Sequence, residues 1–288
     1  MSLEFLVLQA LNGLTFGALL FLVATGFTLV FGVMRIVNLA HGALYLLGGS
    51  VGISAAAVTG NWIAGIVAAG AVVGVVGLLS ERILLRRVRG RELPEVLLTV
   101  GIALVIADLV LAIFGGNPRS AQPPEPLQGA ASLGPVTYPV YRLFVILFAV
   151  AIGVLLQIVH HRTRVGAILR AGVDDREMVA ALGIDVDRVF AAMFLVGSVL
   201  AGIAGMIAAG LLTIRPGADT DILLFALVVV IVGGLGSVAG AAVGSVGIGL
   251  IDAFSRVWLP ELSSFAVFAP MAIILVLRPA GLFGRSSG

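Results

Sequence analysis

Charged residues divide this sequence into long apolar stretches. Four of these stretches carry no formal charge: residues 5–34, 36–80, 189–214 and 222–251. A helix needs about 20 apolar residues to cross the hydrocarbon core of a bilayer, so the run 36–80 predicts two crossings. The break between them falls at Gly60-Asn61-Trp62, where a turn dipeptide precedes an aromatic residue typical of membrane interfaces.

The apolar pattern predicts nine helices along the chain. Their predicted bounds are 5–33, 40–58, 62–84, 95–115, 141–161, 188–212, 222–234, 238–256 and 262–278. The seventh and eighth are short or interrupted by glycine, so eight crossings remain compatible with the pattern. The predicted fold class is therefore all-α: a polytopic membrane helix bundle of about eight or nine transmembrane helices with glycine-broken segments. Residues 1–288 are predicted to form one transmembrane domain.

Composition supports a membrane protein and excludes several kinds of chemistry. The chain is 60% hydrophobic and 11% charged, whereas soluble domains are about 45–50% apolar and about 25% charged. All 17 basic residues are arginine, which excludes the lysine of an ATPase P-loop or of a Schiff base. The lack of cysteine excludes disulfides and thiolate zinc sites. We therefore expect no catalytic residue, no metal and no cofactor in this chain.

The placement of arginine predicts the orientation of the bundle. Loops on the cytoplasmic face of a membrane protein carry an excess of basic residues. With nine crossings, four arginines lie outside, which leaves thirteen of the 17 inside: the outer ones are Arg119, Arg142, Arg215 and Arg256. The N-terminus is then predicted outside and the C-terminus inside. Arg89 is interpreted as one of the solvated inner charges, so its replacement by alanine is expected to do little.

Two connections are long enough to have a structure of their own. Residues 116–140 contain six prolines and predict an extended loop on the outer, periplasmic face. Residues 162–188 form the longest inner, cytoplasmic segment. Within it, Asp174 and Glu177 have the spacing of a capping box, and Gly183 is placed to end the resulting helix in the left-handed conformation. Asp185 is predicted to cap the next membrane helix from Val186 onward.

Two interrupted segments contain the candidate pathway residues. Asn38 and His41 would share one face if a helix began at Asn38, although Asn38 is alternatively predicted to cap the second helix. His41 is interpreted as a structural hydrogen-bonding residue rather than a proton relay. The glycine spacing in 233–240 is one residue too long for a dinucleotide-binding fingerprint, so we predict a broken membrane helix there. Paired breaks indicate a transport pathway, with these candidates: Asn38, His41, Gly42, Gly233, Gly234, Gly236, Ser237 and Gly240.

Small residues also repeat at a spacing of four on several predicted helices. The clearest repeats are Gly48 with Gly52, Gly197 with Ala201, Gly205 and Ala209, and Gly236 with Gly240 and Gly244. In lipid, such stripes let helix backbones approach each other closely. We interpret most of them as packing surfaces rather than as the lining of a substrate path.

Two carboxylates fall within predicted membrane helices. Asp108 lies in the middle of the fourth helix and Asp252 toward the outer end of the eighth. Burying a carboxylate in a membrane is costly, so each is a functional hypothesis by default. An intramembrane aspartyl protease and an ion-coupled secondary transporter that uses Asp108 remain open alternatives. The simplest interpretation is a hydrogen bond from each carboxylate to a neighbouring helix.

Four ordered blocks in this sequence resemble the permease subunits of bacterial branched-chain amino acid ABC importers, in particular the smaller, H-type permease. The blocks are GFTLVFG at 26–32 with NLAHG at 38–42, the cytoplasmic LRA at 169–171 with GIDVDRV at 183–189, GGLGS at 233–237 with Gly240, and LRPAGLFG at 277–284. Each block is short, but together they occur in order over nearly the whole chain. The resemblance also leaves a substrate alternative open, since importers of urea and short-chain amides share these blocks.

The resemblance implies a specific role for residues 162–188 and a set of partners. In this family the corresponding loop is the coupling segment, a short helix that docks on a separate ATPase subunit. It implies these coupling residues: Arg170, Asp174, Glu177, Met178, Ala180, Ala181, Leu182 and Gly183. The implied partners are a second related permease, two ATPase subunits that bind ATP and magnesium, and an extracytoplasmic substrate-binding protein. The implied activity is transport of hydrophobic amino acids across the plasma membrane without covalent chemistry.

Overall fold

The computed structural model describes residues 2–34, 37–134, 136–163, 166–167, 183 and 185–284, and within this part of the chain it contains nine long α-helices. Their bounds are α1 Leu3–Met34, α2 His41–Thr59, α3 Trp62–Leu79, α4 Glu92–Phe114, α5 Val140–Arg162, α6 Val186–Ala208, α7 Ala218–Gly233, α8 Val238–Trp258 and α9 Ser263–Leu277. The predicted all-α membrane bundle is confirmed.

The predicted break between the second and third helices is confirmed at residue resolution. Gly60 ends α2 with a φ of 64°, a left-handed conformation that glycine adopts without a Cβ penalty. The Asn61 side chain then accepts hydrogen bonds from the amides of Ile63 (2.9 Å) and Ala64 (3.3 Å). These bonds satisfy two of the amides that the start of α3 leaves without an intrahelical acceptor.

The largest errors in the predicted bounds occur around residues 209–217. α6 ends at Ala208 rather than at 212, and α7 begins at Ala218 rather than at 222. Hydropathy did not reveal this, because 209–214 is as apolar as the helix before it. The backbone instead leaves the helix to pair with the outer loop, where the amide of Ala121 donates to the carbonyl of Ala209 at 2.8 Å.

The outer loop is more ordered than the predicted extended connection. It contains a two-stranded antiparallel hairpin, β1 Ala130–Leu133 and β2 Val136–Pro139. Tyr138 on β2 is buried, and its hydroxyl lies 2.9 Å from the Thr15 hydroxyl and 3.2 Å from the Asn12 side chain on α1. The hairpin is therefore anchored to the bundle rather than free above it.

Glycine contacts give the relative directions of the helices. Gly48 and Gly52 of α2 face Gly202 and Met206 of α6, so α2 and α6 run in parallel. Both helices therefore start on the face where the short connection from α1 to α2 lies.

α8 runs in the opposite direction to α1. Gly13 of α1 faces Gly249 of α8, and Gly32 near the end of α1 faces Gly236 just before α8. α8 therefore starts on the same face of the bundle as α6. Because α6 ends on the opposite face, residues 209–237 must cross the bundle again, which makes a ninth crossing.

This ninth crossing is made by a short helix and an extended segment. Among the described residues, eight helices are long and apolar enough to cross a membrane alone, and α7 is not one of them. With 16 residues it is about 24 Å long, less than the roughly 30 Å of a bilayer core. Residues 209–217 supply the remaining length. Because the number of crossings is odd, the start of α1 and the end of α9 lie on opposite faces of the membrane.

The absolute orientation remains a prediction that cysteine labelling would test, because the chain has no native cysteine. Single cysteines at Ser132 and Ser264 are expected to react with an impermeant maleimide from outside intact cells. Cysteines at Arg87, Asp175 and Ser287 are expected to react only after permeabilisation. External labelling at Ser287 would contradict the predicted orientation.

The core of the bundle lies along α1 and α6, which have the most enclosed membrane-spanning segments. α4, α5 and α9 lie at the periphery, and they expose large apolar side chains such as Leu104, Val150 and Val276. Such surfaces are stable in contact with lipid or with another membrane subunit. Inside the bundle, the small-residue stripes lie at helix contacts, as their packing interpretation predicted.

The contact between α1 and α8 permits a matched test of this packing. A Cβ at Gly249 would overlap the backbone of α1, at 2.6 Å from the amide nitrogen of Gly17, whereas a Cβ at Gly247 would meet nothing within 4 Å. Gly249→Ala is therefore expected to lower the thermal stability of the detergent-purified chain by forcing the two helices apart. Gly247→Ala on the same helix should leave that stability unchanged or slightly raised, because alanine has the higher helix propensity. Equal melting temperatures for the two variants would contradict this packing.

Candidate functional site

A cavity of about 110 Å³ opens between α2, α4, the outer loop and the extended segment before α7. Its walls are largely apolar and come from side chains such as Leu46, Val110 and Ile214. Its polar lining comprises Ser50, Asp108, Asn117, Arg119, Arg215 and Asp219. A volume several times the roughly 30 Å³ of a liquid water molecule leaves space for part of a small organic solute.

The walls of this cavity are held by backbone contacts. Arg119 and Ile214 form an antiparallel bridge, in which each amide donates to the other carbonyl at 2.9 and 2.8 Å. The Ile214 side chain packs on Gly49 of α2, and the Asp219 carbonyl lies against Gly42 nearer the start of that helix. The segment 214–219 therefore runs down along α2, and only glycine at positions 42 and 49 leaves space for it.

Three charged side chains of the cavity have no partner of opposite charge among the described residues. Neither Asp108 nor Asp219 makes a side-chain hydrogen bond or ion pair with the described part of the chain. Arg119 donates to the Ser54 hydroxyl at 3.0 Å and lies over the Phe114 ring at 5.6 Å, without a carboxylate partner in the described residues.

Arg215 differs from Arg119, because Asp221 already pairs with it at 2.7 Å. The sequence identified Asp108 as a functional hypothesis but missed Arg119 and Asp219. The available signal was the cluster of charges at 215–221 between two uncharged stretches.

The first interrupted segment is buried and structural. Asn38 does not cap α2, which begins at His41 after Ala40; its side chain accepts from the Ala40 amide at 3.1 Å in a turn before the helix. His41 is fully buried, and its Nε2 donates to the Val23 carbonyl at 3.0 Å. The structural interpretation of His41 agrees with this bond.

The second interrupted segment is a broken helix, as predicted. Gly234 and Gly236 have φ values of 107° and 82°, and the Ser237 side chain caps α8 by accepting from the Gly240 amide at 3.0 Å. The break leaves the last carbonyls of α7 without helical partners.

The chain after α9 satisfies these carbonyls. The amides of Leu282 and Phe283 donate to the carbonyls of Val232 and Gly233 at 3.0 and 2.9 Å. Three of the four sequence blocks therefore meet on one face, since Gly236 also contacts Gly32 of α1. None of the eight pathway candidates, from Asn38 to Gly240, lines the outer cavity.

Most of the predicted coupling residues lie outside the described residues. This applies to Arg170, Asp174, Glu177, Met178, Ala180, Ala181 and Leu182. Gly183 is described, and its φ of 78° lies in the left-handed region. The prediction that Asp185 caps the following helix is confirmed, because its carboxylate accepts from the Arg188 amide at 3.2 Å.

A buried ionic cluster joins the first inner loop to the start of α6. Helix α3 continues into a π-helix, Ser80–Leu85, on which the carboxylate of Glu81 is 1% exposed. The Arg89 guanidinium pairs with both Glu81 and Asp187 and lies 4.4 Å from the centre of the Phe190 ring.

Arg86 adds a second pair to this cluster, 2.8 Å from Asp187. Because the Arg89 side chain is only 10% exposed, its interpretation as a solvated charge was wrong. It ties two inner segments together, one of which adjoins the predicted coupling loop.

The two membrane carboxylates do not form a catalytic pair. Asp252 is bonded to Arg256 one turn later on its own helix at 2.8 Å, rather than to a neighbouring helix as expected. Asp108 lines the outer cavity, which does not include Asp252. α4 packs mainly on α2, and α8 mainly on α1. This arrangement does not support an aspartyl protease, which needs two carboxylates close enough to share a proton.

An apolar helix bundle with interrupted helices and a charged cavity is typical of membrane transport proteins. A family profile described as "Branched-chain amino acid transport system / permease component" matches residues 9–276. The chain belongs to this family of transport permeases and is a multi-pass inner-membrane protein.

Individual relatives match over nearly their whole lengths. The chain is 29% identical to the high-affinity branched-chain amino acid transport system permease protein LivH of Escherichia coli K12, covering 99% of this chain and 98% of that protein. It is 28% identical to the permease protein BraD of Pseudomonas aeruginosa, covering 96% and 95%. A solved structure, PsaBC from Streptococcus pneumoniae in complex with Fab, superposes with a TM-score of 0.47 and 10% identity over 92% of this chain and 89% of that one.

Proposed function

We propose that this chain is one permease subunit of an ATP-driven importer and forms part of the translocation pathway for branched-chain amino acids. The observation that carries this proposal is the family match over residues 9–276, supported by relatives named as branched-chain amino acid permeases. The proposed complex contains a second related permease, two ATPase subunits and an extracytoplasmic binding protein. ATP and magnesium bind to the ATPases, which fits the absence of lysine from this chain.

The inner segment 162–188 is the proposed contact with an ATPase. The coupling residues extend from Arg170 to Gly183, with Met178 and Leu182 as the apolar contacts. The C-terminal end of this segment is firmly held, since Asp185 caps α6 and Asp187 pairs with Arg86 and Arg89. A displacement of the segment would therefore pass directly into α6.

α6 is the proposed mechanical link between the ATPase and the outer cavity. It is 23 residues long, about 34 Å, and packs against α1, α2 and α3 in the centre of the bundle. Its C-terminal end leads into the segment 209–217, which continues to the cavity wall at Ile214 and Asp219. A shift of α6 would move that wall relative to α2 and change access to the cavity, as alternating access requires.

The two interrupted segments are the proposed points at which helices reorient. Around Asn38, His41 and Gly42 the chain passes from α1 to α2, and around Gly233–Gly240 it passes from α7 to α8. Gly234 and Gly236 tolerate backbone conformations that other residues resist. Gly236 contacts Gly32, and Gly234 contacts the C-terminal tail. We propose that these backbone contacts on the inner face break together when the helices reorient.

ATP-dependent uptake in reconstituted vesicles tests this function. The chain would be purified with its candidate permease, ATPase and binding-protein partners, and radiolabelled leucine uptake measured with ATP inside the vesicles. We expect uptake that requires ATP and the binding protein and persists when ionophores collapse ion gradients. A complex with a P-loop lysine variant of the ATPases is the inactive control.

Two results would contradict the proposal. ATP-independent leucine uptake driven by an ion gradient would indicate an ion-coupled transporter. ATP-dependent uptake of urea or acetamide, with none of leucine, would indicate the short-chain amide alternative.

A further inference from the structure

We propose that the outer cavity binds the transported amino acid by its charged α-amino and α-carboxylate groups, with Arg119 as the carboxylate partner and Asp108 and Asp219 as the ammonium partners. This inference rests on the proposed function, because it takes an apolar amino acid as the substrate. The cavity would be the site that receives the substrate at the outer end of the bundle.

The cavity lining contains unpaired charges of both signs, as binding of a zwitterion requires. A free amino acid carries one ammonium and one carboxylate, and neither enters an apolar bundle without a partner of opposite charge. Asp108 and Asp219 provide acceptors that no described residue occupies, and Arg119 provides a guanidinium bonded only to a neutral hydroxyl. Arg215 is already neutralised by Asp221, which leaves Arg119 as the available cation in the cavity lining.

The structure also holds Arg119 in position for a ligand. Its backbone is fixed by two hydrogen bonds to Ile214, and its side chain rests between the Ser54 hydroxyl and the Phe114 ring. Planar guanidinium groups bind carboxylates through two parallel hydrogen bonds. A guanidinium that is already oriented loses less side-chain entropy when such a ligand binds.

The apolar walls account for the side chain of the substrate. Leu46, Val110, Leu111, Phe114 and Ile214 also line the cavity, so a branched aliphatic side chain would exchange water for apolar contacts. Neutral urea or acetamide would gain nothing from the opposite charges and little from these walls. The cavity chemistry therefore favours an apolar zwitterion over the short-chain amide alternative.

Substrate protection of a single cysteine tests occupancy of the cavity without requiring transport. Asn117→Cys places the chain's sole thiol at the cavity lining. The assembled complex in nanodiscs would be labelled with a maleimide without ATP, and labelling of this chain followed on a gel. Leucine is expected to slow labelling at 117, whereas 4-methylpentanoate, 3-methylbutylamine and urea should protect far less. A cysteine at Ser264, outside the cavity, should be indifferent to leucine.

Charge variants then identify the binding groups. Asp108→Asn and Arg119→Gln, each combined with Asn117→Cys, are expected to raise the leucine concentration for half-protection by roughly tenfold to a hundredfold, as loss of a charge-assisted hydrogen bond predicts. Arg119→Lys keeps the charge and should recover much of the affinity. Glu261→Gln, a charge removal elsewhere on the outer part of the chain, is the matched control. Each variant complex should be purified at its normal size, which would show that a loss of protection reflects loss of binding and not misassembly.

The outcomes distinguish this inference from the proposed function. ATP-dependent leucine uptake without protection at 117, or with wild-type half-protection in both charge variants, would overturn the cavity assignment and leave the importer intact. Protection by leucine without ATP-dependent uptake would keep the site and remove the importer. Protection by sodium ions alone would overturn the amino acid site and point to ion coupling at Asp108.

Discussion

Replacement of Arg89 by alanine is expected to destabilise the permease and abolish ATP-dependent uptake. The change would leave the Glu81 carboxylate, 1% exposed, without its cation and would release Asp187 from one of its two partners. Removing one member of a buried ion pair costs about 3–5 kcal/mol. The thermal stability of the purified chain and leucine uptake by the assembled complex would measure the two effects.

Controls separate the buried cluster from the general charge of the inner face. Arg87→Ala removes an exposed arginine two residues away and should change neither measurement appreciably. The double variant Glu81→Gln with Arg89→Gln should be more stable than Arg89→Ala, because neither charge remains buried alone. Wild-type stability and uptake of Arg89→Ala would show that the cluster does not hold these segments together.

The sequence predicted the helices well because membrane crossings depend on long-range composition. Charge-free runs of 26 residues or more are typical of segments that lie in lipid. The residues at the ends of the helices act through contacts with their sequence neighbours. The predicted break at Gly60-Asn61-Trp62 is where α2 ends at Gly60 and Asn61 caps α3, because left-handed glycine and side-chain capping depend on a few neighbouring residues. Asp185 was predicted to cap α6 for the same reason.

Tertiary contacts account for what the sequence did not predict. Arg89 resembled other inner arginines until folding placed it between Glu81 and Asp187, 8 and 98 residues away in the chain. The cavity likewise combines Asp108, Arg119 and Asp219, whose sequence positions carry no signal of proximity. The end of α6 was placed too late because apolar residues 209–214 leave the helix to pair with the outer loop, an interaction that hydropathy does not record.

The candidate pathway residues illustrate the same limit in another way. The sequence correctly identified a helix break at Gly234 and Gly236, but not the C-terminal tail that seals it through Leu282 and Phe283. Asn38 had the right residue type for a cap and lay two positions too early, so its side chain stabilises the turn before α2 instead. In both cases the residue type indicated a local backbone feature, a helix break or a capped turn, and the fold determined which groups form the hydrogen bonds there.

Changes at the end of the coupling loop are expected to lower substrate-stimulated ATP hydrolysis and transport together. Gly183 has a φ of 78°, a region in which a β-branched residue is a marked outlier. A Cβ at this position would meet none of the described residues within 4 Å, so the expected effect of Gly183→Val is backbone strain. Leu182→Asp should act differently, by burying an unpaired charge at the proposed ATPase contact.

Both variants should insert in the membrane, because neither change lies in a membrane-spanning helix, while substrate-stimulated ATP hydrolysis and leucine uptake fall together. Gly183→Asn is the matched control, since asparagine adopts the left-handed conformation far more readily than valine, and it should retain most of the uptake. Copurification with the ATPases at wild-type yield, together with normal transport in both Gly183→Val and Leu182→Asp, would show that residues 162–188 do not couple the permease to its ATPases.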